Sequence, residues 1–392
     1  MKKHFAFINI PAAGHINPTA PLVEELLRRG HRISYACKRE AVAPIEEAGA
    51  RIVDLPFEMP PVPAAAKGFT AESMGTMFRF LLDNTRRCLP LLIEHFQQDR
   101  PDVVCFDMMT FMGRMLADKL GVPQVALHPS FSSNEKFSLR EKMLPADIDM
   151  SPFADFGRQV QELATEHGLE LAPGFMGDEG VAELNLSFVP RTFQLEADTF
   201  DDRFHFLGPM LGQRAEQEWQ PRDPDSPLLF ISLGTAFNQR PEFYRMCFEA
   251  FGDSPWHVAM SIGGNVEPAE IGPVPDNFDV RESFPQLAVL RKATAFLSHT
   301  GMNSTMESLY YGVPLVAVPQ MPEQGLNADR VQELGLGRRL ETEEVTTEQL
   351  RTTVDEVAHD AGIRARLAEM QSELRECGGA VAGADALEAY LA

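Results

Sequence analysis

A histidine that follows the first apolar stretch of the chain is the first residue suited to acid–base chemistry. His15 lies in the segment Pro-Ala-Ala-Gly-His-Ile-Asn-Pro, directly after residues 5–10, which predict a buried strand. We expect Asn17 to cap a helix in which Pro18 takes the first position. His15 would then lie at the carboxyl end of a parallel strand, where open α/β sheets bind ligands. A side chain that titrates near neutrality suits a general base there, although a purely structural hydrogen bond explains the histidine equally well.

An aspartate closes a second predicted strand. Asp107 is the last residue of the apolar stretch 102–107, so its carboxylate should reach the same sheet edge as His15. A carboxylate beside an imidazole fixes the imidazole tautomer and stabilises the imidazolium. The alternative is that Asp107 only caps the helix predicted over residues 109–120. The pairing with His15 favours a catalytic dyad.

A third segment, in the second half of the chain, has the features of an anion site. After another predicted strand, Gly301 allows close approach to the backbone, and Asn303 or Ser304 opens a helix. The unpaired amides and the positive dipole end of a helix N-terminus bind anions. No Lys or Arg lies between His299 and Glu307, so the dipole and His299 would have to bind the anion.

Side chains around this anion site are suited to binding a sugar. Glu307 lies four residues after Asn303, on the same helix face, where its carboxylate can accept hydrogen bonds from a ribose diol. Glu323 and Gln324 follow a proline-flanked turn and offer acceptor and amide groups to sugar hydroxyls. Thr235, in a second glycine loop, lies where it can contact the same diphosphate. From the pattern alone, an ordinary strand–loop–helix with a cap is an equally good interpretation.

Short apolar strands alternate with amphipathic helices in both halves of the chain, which predicts an α/β protein with two doubly wound parallel sheets. A polar, proline-rich and aperiodic stretch separates the halves and is typical of a linker. We therefore expect two Rossmann-like domains facing across a cleft, followed by helices that pack back toward the first domain. The expected boundaries are residues 1–210, the linker 211–227, residues 228–345 and the terminal helices 346–392.

The composition excludes several classes of protein. The chain has 35 Lys and Arg against 57 Asp and Glu, a net charge of −22, which argues against binding nucleic acid or anionic lipid nonspecifically. Five cysteines without a C-x-x-C pair indicate reduced thiols, and no apolar run approaches the ~18 residues of a membrane span. We expect a cytoplasmic protein, a monomer or weak homodimer. The acidic pairs at residues 147–149 and 223–225 imitate a D-x-D metal motif, but neither follows a clear strand, so we expect no metal.

The motifs together resemble a known family. His299-Thr-Gly-Met-Asn-Ser-Thr-Met-Glu307 with Pro-Glu-Gln324, and Gly14-His-Ile-Asn-Pro18, are similar in order and spacing to motifs of nucleotide-sugar-dependent glycosyltransferases. That family includes bacterial macrolide, plant flavonoid and animal glucuronosyl transferases, and the sequence is most similar to the macrolide branch. The resemblance spans nearly the whole chain. It implies the GT-B fold, with the acceptor site in the first domain, the donor site in the second and no required metal or other cofactor.

The resemblance also implies roles for individual residues. His15 would deprotonate the acceptor with the support of Asp107, Glu307 would bind the ribose, and the hexose would contact Glu323 and Gln324. The diphosphate would contact Thr235, His299, Gly301, Asn303 and Ser304. Many members place a Trp-x-Pro-Gln segment beneath the base, whereas this chain has Ser283-Phe284-Pro285-Gln286. Because serine cannot stack on a base, Phe284 or backbone groups would take over, and the choice between uridine and thymidine donors stays open.

Methionine and phenylalanine side chains near the predicted sheet edge are candidates for an adaptable wall around a flat apolar acceptor, because methionine repacks easily. They are Phe57, Met59, Met74, Met77, Phe78, Met108, Met109, Phe111 and Met112. We therefore expect an inverting transferase that moves glucose from UDP-glucose to a hydroxyl of a polyphenol or macrolide. A nucleotide-sugar epimerase of the same architecture, or a noncatalytic binding protein, remains an alternative.

Overall fold

The computed structural model describes most of the chain, and its described parts form two compact units. The described residues are 2–59, 71–144, 147–171 and 181–392, with the side chains of 71–74 left out. The first unit comprises the described residues up to 210 together with 377–392, and the second comprises residues 211–376.

The first unit is built on a seven-stranded sheet with the strand order β3-β2-β1-β4-β5-β6-β7, in which every pairing within the described residues is parallel. Its strands are β1 (His4–Ile8), β2 (Arg32–Cys37), β3 (Arg51–Asp54), β4 (Val103–Asp107), β5 (Gln124–His128), β6 (Leu184–Ser187) and β7 (Phe204–Phe206). β1 and β4 are buried along their whole length, which is why both appear in the sequence as continuous apolar runs.

Helices cover both faces of this sheet. They are α1 (Ala13–Ile16), α2 (Ala20–Arg28), α3 (Ala43–Glu47), α4 (Ala71–Gln98), α5 (Phe111–Leu120), α6 (Leu139–Met143) and α7 (Ser151–Glu166). Apolar side chains of α4, α5 and α7 form one core with the sheet, and those of α2 form a second core on the other face. Two of these helices, α6 and the sixteen-residue α7, lie in the segment between β5 and β6.

The second unit repeats the architecture with a six-stranded sheet in the order β10-β9-β8-β11-β12-β13, again parallel at every described pairing. Its strands are β8 (Leu228–Ser232), β9 (His257–Ser261), β10 (Phe278–Arg281), β11 (Ala295–Ser298), β12 (Leu315–Ala317) and β13 (Gly337–Arg339). Its helices are α8 (Pro241–Phe251), α9 (Pro268–Ile271), α10 (Gln286–Leu290), α11 (Met302–Tyr311), α12 (Pro322–Glu333), α13 (Thr347–His359) and α14 (Ala361–Glu376). The expected fold class, two doubly wound α/β domains, is confirmed.

The boundaries of the units differ from the expected ones at two places. Residues 211–227 belong to the second unit instead of forming a separate linker, and so do α13 and α14. Only the last helix, α15 (Gly379–Tyr390), belongs to the first unit, where it packs on α2. Arg29 holds it there by ion pairs to Asp385 and Glu388, each with an N–O distance of 2.6 Å.

A glycine in α5 allows this helix to pack directly on the sheet of the first unit. A Cβ atom added at Gly113 would lie 2.4 Å from the Cβ of Phe106 in β4 and 3.2 Å from the Cβ of Ile8 in β1. Because neither neighbouring atom can rotate away, the helix approaches the sheet only where position 113 has no side chain.

Replacement of Gly113 by alanine should therefore destabilise the first unit. We expect Gly113→Ala to lower the free energy of unfolding by ~1–3 kcal/mol, the usual cost of overpacking a core. Gly157→Ala is the matched control, since Gly157 lies in α7 with nothing within 4 Å of the added Cβ. That variant should gain up to about 1 kcal/mol of helix propensity. Differential scanning calorimetry checks both, and an unchanged melting temperature for Gly113→Ala would contradict the packing described here.

Candidate active site

His15 lies on a short helical turn immediately after β1. The amides of His15 and Ile16 both donate to the carbonyl of Ala12, so the chain begins to wind before Asn17 is reached. The predicted cap at Asn17 is therefore wrong: Asn17 follows α1, and α2 begins at Ala20.

A buried polar network holds the His15 turn from beneath. Asn9 donates from Nδ2 to the carbonyl of His15 at 3.1 Å and to the hydroxyl of Tyr35 at 2.9 Å. The same Tyr35 hydroxyl lies 2.8 Å from the hydroxyl of Thr19, which donates to the carbonyl of Ile16. Burial raises the pKa of Tyr35, so its phenol stays neutral and available as a donor. Sequence reasoning missed Asn9, Tyr35 and Thr19, although a polar group in an otherwise apolar stretch was a usable signal for Asn9 and Tyr35.

Asp107 forms a short hydrogen bond with His15. The distance from His15 Nδ1 to Asp107 Oδ2 is 2.6 Å; the aspartate side chain is 1% exposed, the histidine side chain 24%. An ionised carboxylate only accepts hydrogen bonds, so Nδ1 carries the proton of the neutral imidazole and Nε2 is its basic nitrogen. The other carboxylate oxygen accepts from the amide of Met109 at 2.8 Å, which fixes the carboxylate in place. Asp107 thus pairs with His15 and also caps the following turn.

In the second unit, His299 lies over two glycines from adjacent strand ends. Added Cβ atoms at Gly234 and Gly301 would lie 2.4 Å and 2.5 Å from His299 Nε2. Gly234 follows β8 and His299 follows β11, and these strands pair through Ser232 and Ser298. The imidazole therefore occupies space that exists only because both neighbours lack side chains. Thr235 is exposed beside Gly234.

His299 is neutral in this position. Burial lowers the pKa of His299 to about 4, and the carbonyl of Ser232, which acts in the opposite direction, does not compensate. Any anion held here would thus meet a neutral N–H donor and the N-terminal amides of α11, whose cap is Gly301. Asn303 and Ser304 lie inside the first turn of α11 and do not open it, contrary to the expectation from sequence.

The loop before α11 is tied to the turn that carries Glu323 and Gln324. Thr300 is fully buried and has a φ of 58°, a backbone conformation that is strained for a β-branched residue. Its hydroxyl donates to the carbonyl of Gln324 at 3.0 Å, and Asn327 donates to its carbonyl at 2.8 Å. The amide oxygen of Gln324 accepts from the backbone of Gln320, so the expected hexose-binding turn is rigidly attached to the loop.

Glu307 is buried and hydrogen-bonded at both carboxylate oxygens. Oε1 accepts from Arg214 at 2.9 Å, and Oε2 accepts from Gln286 at 2.6 Å. Gln286 also donates to the hydroxyl of Ser304 at 3.2 Å. The structure thus brings together three residues expected from sequence and adds Arg214, for which the sequence offered no signal.

The segment expected beneath the base has an aromatic ring at its second position. Ser283 is exposed, and Phe284 is half-buried. Phe284 packs edge-on against Trp219 and Phe230 with centroid distances of 5.9 Å and 6.1 Å, and the guanidinium of Arg281 lies 4.9 Å from its centroid.

Two residues expected to line the acceptor site are core residues. Phe57 is 3% exposed and Met112 is 1% exposed, and both belong to the core between the sheet and its helices. Neither of them lines the groove described below, so the structure gives no support to these two assignments. Met59 and Met77 are exposed, at 48% and 38%.

The remaining acceptor candidates lie on two elements. Met108 and Met109 directly follow Asp107 and are half-buried. Phe78 stacks on Phe156 with centroids 4.4 Å apart, and Phe111 meets the same ring edge-on at 5.5 Å. The side chain of Met74 lies outside the described residues.

An open groove runs between α4 and α7, next to these rings. Its volume is about 800 Å³, and its lining includes Phe78, Leu82 and Phe156 with Arg79 and Arg158. The groove combines an apolar floor with a charged rim. Sequence reasoning missed the contribution of α7, since none of the acceptor candidates lies on this helix.

Within the described residues, no group of three or more His, Cys, Asp or Glu side chains is arranged to hold a metal ion. The same part of the chain has no helix that is both long and apolar enough to cross a membrane.

Comparison with known proteins agrees with this geometry. Residues 257–377 match the family described as erythromycin biosynthesis protein CIII-like, C-terminal domain. The chain is 42% identical over 395 residues to the NDP-glycosyltransferase YjiC of Bacillus subtilis (strain 168), covering 100% of this chain and 98% of the relative. It is 37% identical over 398 residues to the demethyllactenocin mycarosyltransferase of Streptomyces fradiae, covering 99% and 86%. The crystal structure of the calicheamicin glycosyltransferase matches with a TM-score of 0.85 at 34% identity, covering 100% and 98%.

The chain therefore belongs to the nucleotide-sugar-dependent glycosyltransferases of the GT-B fold that act on natural products. It is an enzyme, and the resemblance found from its motifs is confirmed.

The two glycines beneath His299 make the donor site sensitive to a single methyl group. We expect Gly234→Ala to weaken binding of UDP at least ~10-fold, because the methyl displaces the imidazole and with it one charge-assisted hydrogen bond. Gly272→Ala is the matched control, since Gly272 also has a positive φ but has nothing within 4 Å of the added Cβ. Isothermal titration calorimetry should show near wild-type UDP affinity for the control. An equal loss of UDP affinity in Gly234→Ala and Gly272→Ala would contradict the expected role of His299 in binding the diphosphate.

Proposed function

We propose that this glycosyltransferase moves glucose from UDP-glucose to a hydroxyl of a small apolar acceptor, with inversion at the anomeric carbon and with His15 as the general base. The observation that carries the proposal is the 2.6 Å hydrogen bond between His15 Nδ1 and Asp107 Oδ2. It supports the tautomer in which Nε2 can take a proton, the arrangement needed for activating a hydroxyl.

The base is required because an aliphatic hydroxyl is a poor nucleophile until its proton leaves. As the oxygen attacks the anomeric carbon, Nε2 of His15 takes the proton and Asp107 stabilises the imidazolium that forms. The bond from the anomeric carbon to the diphosphate breaks on the opposite face, and the diphosphate departs with the bonding electrons. A donor with an α linkage then gives a β-linked product in one displacement.

The proposed acceptors are polyphenols and macrolides. The matched transferases are named for demethyllactenocin and calicheamicin, which supports a natural product as the acceptor here. The groove between α4 and α7 offers an apolar floor, and the half-buried Met108 and Met109 next to the proposed base can adapt to different rings.

The proposed donor is held by Glu307 at the ribose and by His299 with the α11 amides at the diphosphate. Phe284 supports a flat base in place of the missing tryptophan. The proposal includes a cytoplasmic reaction, since none of the five cysteines forms a disulfide, as is usual in a reducing compartment.

Substitution of the proposed base should abolish most of the activity while leaving the donor site intact. We expect His15→Ala to lower kcat by ~10²–10⁴-fold, the usual contribution of general-base catalysis, with UDP affinity nearly unchanged. Asp107→Asn should lower kcat by ~10–10²-fold, because the imidazole remains but loses its charged partner. In the His15 variant, kcat should fall less with an acidic phenol as acceptor than with an aliphatic alcohol, because the phenol loses its proton readily.

Turnover and product anomer measured with one phenol and one alcohol check these expectations. His205→Ala is the control, because His205 is an exposed histidine of the same unit, in β7. Near wild-type turnover of His15→Ala on the alcohol would overturn the assignment of the base. An α-linked product would overturn single displacement.

Diphosphate binding without a metal is part of the proposal, because a helix N-terminus and a neutral imidazole can supply the donors for the diphosphate. We expect transfer from UDP-glucose to keep at least about half of its rate in a large excess of EDTA, with added Mg²⁺ or Mn²⁺ changing it little. A strict, titratable dependence on either ion, restored on addition after chelation, would contradict this binding mode.

A further inference from the structure

The chain segment that connects the two sheets contains an arginine, Arg214, whose side chain contacts the proposed donor site. Residues 211–227 include the short 3₁₀ helix Gly212–Glu216, and Arg214 within it donates from Nη1 to Oε1 of Glu307 at 2.9 Å. The side chain of Glu307 is 5% exposed and that of Arg214 is 32% exposed. The two residues are 93 positions apart in the chain.

Further contacts hold this segment against the second unit. Arg291 donates to the carbonyl of Gln217, Lys292 donates to the side chain of Gln220 at 2.8 Å, and Trp219 packs against Phe284. The backbone that carries Arg214 is therefore fixed, which reduces the conformational entropy lost when its guanidinium pairs with the carboxylate.

The hydrogen bonds of Glu307 leave room for a diol. An ionised carboxylate offers about four acceptor positions, two on each oxygen. Arg214 takes one position on Oε1, and Gln286 takes one on Oε2. One position remains on each oxygen, which matches the two adjacent hydroxyls of a ribose. The positive charge of Arg214, next to Oε1, also compensates the cost of burying the carboxylate.

We propose that Arg214 is a positioning residue for the donor ribose. It holds Glu307 in the orientation that receives the 2′- and 3′-hydroxyls, and so gives the site its preference for ribose over 2′,3′-dideoxyribose nucleotides. The inference rests on the proposed role of Glu307 in binding the donor. It extends that role to the connecting segment, which sequence reasoning treated as a linker.

The preference follows from the cost of unmet hydrogen bonds. A nucleotide without these hydroxyls leaves acceptor positions of a buried carboxylate unpaired, and a site built to bind a hydroxyl rejects the analogue that lacks it. When Arg214 no longer orients Glu307, the ribose hydroxyls lose their matched acceptor, while a dideoxy nucleotide has no such contact to lose.

The test compares UDP with 2′,3′-dideoxyuridine diphosphate by isothermal titration calorimetry on the full chain. We expect Arg214→Gln to weaken UDP binding ~10–100-fold and the dideoxy nucleotide by less than ~3-fold, as for loss of a charge-assisted interaction felt only through the hydroxyls. Arg214→Lys keeps the positive charge but lacks the planar guanidinium group, so its UDP affinity should lie between those of the wild type and Arg214→Gln.

Arg222→Gln is the matched control for general loosening of the segment. Arg222 lies in the same segment and pairs with another buried carboxylate, that of Asp279, at 3.0 Å. Arg222→Gln should change the affinity for both nucleotides by less than ~3-fold, since no contact with the ribose depends on Arg222. Equal weakening of UDP and the dideoxy nucleotide in Arg214→Gln, or no weakening of UDP, would overturn the inference. A wild type that binds no uridine nucleotide would overturn the proposed function itself, and the inference with it.

Discussion

The direction of the strands is the constraint on which the whole site depends. In a parallel sheet all carboxyl ends meet one edge, so the residues that follow different strands gather there without being close in sequence. His15 after β1 and Asp107 at the end of β4 meet in this way because these two strands are neighbours. The same rule brings the loop after β8 next to the loop after β11, where His299 lies over Gly234. Everything else in each unit serves to hold these strand ends in register.

A chain with a net charge of −22 needs a special solution for binding a diphosphate. The donors that we propose for it are neutral: a buried imidazole whose pKa is lowered to about 4, and the backbone amides at the start of α11. Backbone dipoles are fixed by the fold and need no flexible cationic side chain. The buried charge next to these donors is instead a carboxylate, Glu307, and its cationic partner, Arg214, comes from a segment outside the sheet. In the proposed binding mode, the phosphates of the nucleotide contact amides and its sugar contacts a carboxylate whose charge is compensated.

The sequence was enough for the fold and for the pairing of His15 with Asp107, because alternating strands and helices dictate where strand ends lie. It was not enough to separate exposed from buried side chains. Met112 is a methionine like the exposed Met59, and Phe57 is a phenylalanine like the half-buried Phe78, yet Met112 and Phe57 are buried in the core. The local pattern also predicted a helix N-cap at Asn17, and this prediction was wrong. A helical turn that starts at Ala13 places Asn17 at the end of α1 in spite of its preference for N-cap positions. The contact between Arg214 and Glu307 could not be predicted from local sequence. The two residues are 93 positions apart, and the polar, proline-rich stretch around Arg214 is typical of a linker.

One strained residue lies in the loop before α11, and its hydrogen bonds indicate how the geometry of this loop is maintained. Thr300 adopts a φ of 58°, a conformation that costs a β-branched residue on the order of 1–3 kcal/mol. Two hydrogen bonds offset this cost, one from its hydroxyl to the carbonyl of Gln324 and one from Asn327 to its own carbonyl. A glycine at this position would relieve the strain but would lose the hydroxyl that ties the loop to the turn at Glu323 and Gln324. The strain is therefore the consequence of a hydrogen-bonded link between the loop before α11, which we propose to bind the diphosphate, and the first turn of α12, which we propose to bind the hexose.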